Sequence, residues 1–307
     1  MEEAMNHLKT ALLLAGLIST QAHAAITVRD DDGNTVTVEK PAQRILALAP
    51  HVTELLFAAG GGEKIAGVVS YSDYPEAAKK IPQVGDNRQY DMERIIAMKP
   101  DLIVVWMHGS AERQIAMLRQ LKVPIYHSEP RKLADIPDSM ERLGQLMGTE
   151  KTAKPAAAQL RAKLASLTAQ YAQRPPVRVF YQVWDKPLYT LSGASIISDS
   201  MRVCGAQNIF AAMKVVAPVV TPEGVLQEDP EVIFGTSEKS DPRSEGGLAI
   251  WRAFPSMTAV RRNNLFRLNG DLLNRAGPRM IEGTAAMCEQ LEVARQRRSA
   301  PAAKTAP

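Results

Sequence analysis

Short apolar runs alternate along the chain with segments whose apolar residues recur every three or four positions. Residues 44–49 (RILALA) form one such run, ending at Pro50, and residues 52–59 follow at helical spacing, closed by Gly60, Gly61 and Gly62. Residues 64–70 (KIAGVVS), 101–106 (DLIVVW) and 123–126 (VPIY) predict three more strands, with a helix over 110–121 between the last two. Continuous apolar strands are those buried on both faces, and their alternation with helices predicts an α/β fold with parallel strands and crossover helices.

One stretch breaks this alternation. Over residues 156–172, Leu160, Leu164, Leu167 and Tyr171 recur at helical spacing without a glycine or a strand signal. The spacing predicts a helix roughly 25 Å long at ~1.5 Å per residue, with Pro155 in its first turn or kinking it. After Pro175 and Pro176 the strand pattern resumes at 177–182 (VRVFYQ).

The second half repeats the first. Residues 91–105 (DMERIIAMKPDLIVV) can be laid on 221–235 (TPEGVLQEDPEVIFG) without a gap. Each offers a capping side chain (Asp91, Thr221), an acidic first turn (Glu93, Glu223), a short helix, a proline and a buried strand. Residues 45–60 and 188–205 both run strand, turn, helix, glycine. The expected architecture is two similar lobes with mostly parallel sheets, joined by one long rigid helix, with a ligand cleft between them. The lobes are expected over 25–150 and 175–294, the linking helix over 151–174, and a disordered Arg-, Ala- and Pro-rich tail over 295–307.

The ends place the chain in a compartment. Lys9 precedes a short apolar run over 11–18, and Ala22-His23-Ala24 is a small-x-small cleavage site, so residues 1–24 read as a signal peptide. No cysteine follows the cleavage site, so a released periplasmic protein without a lipid anchor is expected. The cysteines are Cys204 and Cys288. In an oxidising compartment they would pair and close a long loop; otherwise they are two buried thiols.

Net charge is only +4 and aromatic residues are few, which gives nucleic-acid binding no support. Nucleophile-elbow, dinucleotide, P-loop and H-E-x-x-H motifs are all lacking, so an enzyme is not expected and no resident cofactor is implied. Three histidines follow strands on one presumed face: His51, His108 and His127. They could hold a transition metal, or one could touch the metal of a bound macrocycle, with Asp271 able to add a carboxylate.

The runs ITVRDDDGNTVTVEKPAQRILALAPHVTELLFAAG, GVVSYSDYPEAAKKIPQVGD and DMERIIAMKPDLIVVW resemble the helical-backbone periplasmic receptors that serve ABC importers of iron-siderophores, haem and cobalamin. The resemblance extends from Ile26 to about Val293 and is closest to the cobalamin-binding branch, notably at SYSDYP (70–75) and in the placement of Cys204 and Cys288. It implies a monomeric solute receptor that binds cobalamin or a related corrinoid and delivers it to a two-subunit inner-membrane permease with ATPase subunits. Glu93 and Glu223 match the two glutamates that dock on permease arginines. Tyr71 and Trp106 match cleft aromatics, and Asp271 and Arg275 match the second lobe's contact loop. The branch's other cleft aromatics fall here on Asn87, Val183 and Ala217, with Tyr90 and Trp184 nearby to compensate. Haem or a ferric siderophore is the alternative ligand.

Overall fold

The computed structural model of the protein describes residues 24–237 and 247–299. The expected signal peptide, up to residue 23, and the tail from residue 300 lie outside the described residues.

The N-terminal lobe opens with an antiparallel hairpin, β1 (Ile26–Arg29) and β2 (Thr35–Val38). Strands β3 (Ile45–Leu48), β4 (Ile65–Val68), β5 (Leu102–Val105) and β6 (Ile125–His127) then form a parallel sheet in the order β4-β3-β5-β6. In the C-terminal lobe, β7 (Val177–Gln182), β10 (Ala206–Asn208), β11 (Val232–Ser237) and β12 (Leu265–Asn269) form a second parallel sheet, β10-β7-β11-β12. A two-stranded hairpin, β8 (Trp184–Asp185) and β9 (Leu188–Tyr189), follows β7. Both sheets are wound alike, with the lobe's first parallel strand between its second and third.

The sheets divide their side chains by parity. Ile45 and Ala47 of β3 and Leu102 and Val104 of β5 join the central cluster, while Leu46, Leu48, Ile103 and Val105 pack into a separate outer cluster with Ile95 and Leu118. The second lobe repeats this, with Val179, Tyr181, Val232 and Phe234 inside and Phe180 and Ile233 outside against Trp251. This period-two division, apolar on both faces, is what makes parallel strands legible as unbroken apolar runs.

The helices used below are α1 (Pro50–Ala58), α2 (Met92–Ala97), α3 (Glu112–Gln120), α4 (Asp135–Met147), α5 (Glu150–Tyr171), α6 (Ile196–Val203), α7 (Pro222–Glu228) and α8 (Met280–Ser299). Gly60 and Gly205 take positive φ (85° and 68°) just past α1 and α6, the left-handed conformation that stops a helix and that glycine adopts without strain. The linking helix α5 starts at Glu150, one residue before the expected 151, and Pro155 lies inside it rather than in its first turn. Arg161 ties α5 to α4 through Asp138 (2.7 Å) and Glu141 (2.6 Å). Leu160, Leu164, Leu167 and Tyr171 pack on one apolar cluster that runs from Val28 of the first lobe to Ala294 of the second. The lobes therefore share a core through α5.

Two expectations are corrected. The counterpart of β3 is β7, not the run beginning at Leu188; the β8–β9 hairpin intervenes and displaced the repeat. The tail does not begin at 295, because α8 continues to Ser299. Arg295 donates to the Cys204 carbonyl (2.7 Å), and Arg298 pairs with Glu231 (2.7 Å), so the basic residues read as tail are anchors. Cys204, just after α6, is bonded to Cys288 of α8, closing a sequence separation of 84 residues. A loop of that length is nominally worth about 4–5 kcal/mol of chain entropy.

Candidate functional site

The lobes meet at the carboxyl ends of their strands, the place where open α/β sheets hold ligands. Arg279, just before α8, grips Glu54 of α1 with two guanidinium nitrogens, Nη2 to Oε1 at 2.6 Å and Nε to Oε2 at 2.9 Å. Arg275 joins Asp73 after β4 (2.6 Å), Asp271 (3.3 Å) and Glu54 (3.4 Å). The Arg279 guanidinium also lies 3.8 Å over the Tyr74 ring. Arg275 and Asp271, expected as contacts for a ligand, thus meet at a tie between the lobes, and Arg275 is mostly buried there. A second crossing is the Leu133 amide donating to Asp199 of α6 at 2.8 Å. A hollow of about 800 Å³ along α5 is lined by Phe57, Tyr74, Leu160, Lys163 and Arg279, and none of the cleft histidines or tryptophans lines it.

Beyond that tie, the first lobe presents one organised group at the ends of β5 and β6. Glu129 accepts from Trp106 Nε1 at 2.9 Å on one oxygen and from His108 Nδ1 at 2.5 Å on the other. Burial alone would raise the Glu129 carboxyl, but hydrogen bonds from His127, Trp106 and His108 outweigh it and hold it well below the usual carboxylate range. Glu129 is itself held by Asp31 from the β1–β2 turn, which accepts its amide (2.7 Å) along with Arg142 (2.6 Å), Ser139 (2.9 Å) and the Tyr126 hydroxyl (3.2 Å). Burial pushes the Asp31 carboxyl up against those partners.

The three histidines do not converge as a set. His51 is buried in the first turn of α1, with Nε2 3.2 Å from the Ser128 carbonyl, and burial depresses it to about 4, so it stays neutral. Ligating atoms of His108, His127 and Glu129 lie within 4.8 Å of one another. His127, however, accepts the Met107 amide on Nδ1 (3.2 Å), so its proton sits on Nε2, 3.5 Å from both Asp32 and Glu129. Burial works against the charged ring, yet these carboxylates leave His127 raised. A nitrogen carrying that proton offers no lone pair to a metal.

The aromatic expectations divide. Tyr71 is 78% exposed and Trp106 39%, both just past strand ends. Tyr71 has φ 66°, a strained left-handed backbone for a residue with a Cβ, and such strain concentrates at functional positions. Trp184 is also exposed and pairs with Tyr189, which bridges to Val219. Tyr90 cannot supply a cleft surface, because it is buried with its hydroxyl 2.7 Å from Ser110. Asn87 donates to the Gly109 carbonyl at 3.1 Å, placing it beside His108. Ala217 lies in an exposed apolar stretch with Val215, Val216 and Val219, tied to the 188–192 segment through Ser192 and Thr190. Sequence reasoning missed Glu129, Asp31 and this aliphatic strip; the acidic cluster DDD at 30–32 was the available signal.

Glu93 and Glu223 are exposed in the first turns of α2 and α7, and neither has a partner among the described residues. The caps hold as expected: Asp91 accepts the Arg94 amide (3.0 Å) and Thr221 the Gly224 amide (3.2 Å). The two glutamates therefore occupy equivalent places in the two lobes, before β5 and β11. Arg88 and Arg113 line a surface hollow together with Glu93.

The comparisons with known proteins agree with this geometry. The family model described as periplasmic binding protein matches residues 45–272. The chain is 38% identical over 257 residues to a vitamin B12-binding protein of Vibrio cholerae, covering 83% of this chain and 91% of that one. It is 37% identical over 252 residues to the vitamin B12-binding protein of Yersinia pestis, covering 81% and 86%. Among solved structures, the periplasmic vitamin B12 binding protein BtuF of Vibrio cholerae superposes with a TM-score of 0.77 at 38% identity, over 83% of this chain and 99% of that one. The periplasmic heme-binding protein RhuT of Roseiflexus shares the fold at a TM-score of 0.71 and 23% identity, over 82% and 99% of the two chains. With two like-wound lobes, a shared linking helix and a family match over most of its length, the chain belongs to the periplasmic binding protein family.

Proposed function

We propose that this protein is a non-catalytic periplasmic receptor that binds cobalamin or a related corrinoid between its lobes and delivers it to an ABC-type importer. The observation that carries this is the 38% identity to a vitamin B12-binding protein over 83% of the chain, with the cleft aromatics at strand ends. Trp106, Tyr71 and Trp184 offer flat apolar faces to a macrocycle, and Asn87 and Asp271 offer polar groups to its amide rim. Val215, Val216 and Val219 take the place of a missing ring with aliphatic surface.

Delivery rests on Glu93 and Glu223. Two carboxylates without a partner among the described residues, at equivalent places on a stiff two-lobed body, suit arginine forks on a two-subunit permease. Residues 1–24 serve as a cleavable signal peptide ahead of Ala25, and the mature protein works as a monomer. Size-exclusion chromatography of the mature protein mixed with cyanocobalamin tests the ligand: the corrinoid's visible absorption is expected to co-elute with the protein, and its elution with free solute contradicts the proposal.

A further inference from the structure

The three cleft histidines differ in one respect that chemistry can use. His51 is buried and its Nε2 faces a carbonyl; His127 is fully buried and its proton is fixed on Nε2 by the Met107 amide. His108 alone is open, with its side chain 58% exposed in the turn just past β5. Its Nδ1 donates to Glu129 at 2.5 Å, which leaves Nε2 with a lone pair and no partner among the described residues. A carboxylate holding one ring nitrogen so that the other can bind a metal is the usual second-sphere support of a metal-ligating histidine, and it raises the basicity of the free nitrogen.

The same carboxylate also fixes Trp106, so one group sets the orientation of the flat surface and of the imidazole. The His127 ring also packs against His108, T-shaped with centroids 5.1 Å apart. Asn87, bonded to the Gly109 carbonyl, closes the turn without covering the imidazole with a ring.

We propose that His108 Nε2 coordinates the cobalt of the bound corrinoid wherever the outer axial position carries an exchangeable water. The step is a ligand exchange without redox change: the cobalt–oxygen bond breaks, a cobalt–nitrogen bond forms, and one water leaves. A cobalt carrying cyanide holds its axial ligand too strongly to exchange and binds by the cleft surfaces alone. The inference rests on the corrinoid proposal above and adds a preference within that class, for aqua over cyano forms.

The test is visible spectroscopy of the mature protein with aquacobalamin and with cyanocobalamin, alongside calorimetric affinities for both. Bound aquacobalamin is expected to show the band shift that free imidazole produces, with affinity about tenfold above that for cyanocobalamin. In H108A the shift disappears and the preference collapses to within about threefold, while the thermal unfolding midpoint shows that the protein is folded. A bound aquacobalamin that keeps its aqua spectrum, or a shift that persists in H108A, overturns the inference and leaves the corrinoid proposal standing. Failure to bind either cobalamin overturns both.

Discussion

Glu54 of the first lobe is held by Arg279 of the second through two hydrogen bonds, across a sequence separation of 225 residues. The carboxylate is almost wholly buried, and Arg275 approaches it as well. Removing one member of a buried ionic group leaves the others without compensation, at a cost of about 3 kcal/mol. Glu54→Ala is therefore expected to lower stability by that order in chemical denaturation and to enlarge the radius of gyration in small-angle scattering. A variant as stable and as compact as the parent would show that α5 alone holds the lobes together.

Glu129 links a deep anchor to the cleft surface. Trp106→Ala is expected to weaken cyanocobalamin binding about 30-fold or more, as for a buried aromatic anchor. Glu129→Ala removes the acceptor for Trp106 Nε1 and is expected to weaken it about tenfold by loss of orientation. Calorimetric affinities check both, and an undiminished affinity in Trp106→Ala would take that ring out of the site.

His51 makes stability depend on pH in a definite direction. Burial lowers it from 6.5 to about 4, so the unfolded chain takes up a proton that the folded chain refuses. Stability is full above about pH 6.5 and falls as pH drops toward 4, by roughly 3 kcal/mol from this group. Glu129, whose carboxyl is depressed, adds stability that is present above its unfolded value near 4.5 and is lost only as pH falls through its lower folded value. Urea denaturation at pH 7 and pH 4.5 should show a smaller pH slope in His51→Gln than in the parent. Equal slopes would mean that His51 does not stay neutral in the folded protein.

Charge reversal at Glu93 and Glu223 separates delivery from binding. The double variant with Lys at both positions is expected to abolish transport by the reconstituted importer. Ligand affinity should stay within about twofold, since both carboxylates are exposed and have no partner among the described residues. Lost affinity with the fold intact would place them in the cleft.

Much of the fold could be read from the chain because parallel strands are buried on both faces. Residues 177–182 stand out as VRVFYQ, and β7 spans that same run. The repeat of Asp91 and Thr221 was legible because capping and the proline before each strand act locally. The hairpin β8–β9 was not, since two-residue strands carry no period, and it displaced the expected match of 45–60 to 188–205. In the candidate site only single residues stood out from the chain, as with Tyr71, Trp106 and Trp184, which the fold leaves exposed. Glu129 gained its meaning from partners 21 and 23 residues away that meet it only when β5 and β6 pair. Nothing local in the sequence reveals that Arg275 meets Asp73, 202 residues earlier.

The central claim is the identity of the solute, and isothermal titration of the mature protein with cyanocobalamin, with haemin in a parallel titration, tests it most directly. One-to-one binding of cyanocobalamin with a dissociation constant on the order of micromolar or tighter, and at least about a hundredfold weaker haemin binding, is the predicted result. A folded protein that leaves cyanocobalamin unbound and takes haemin instead would contradict the account.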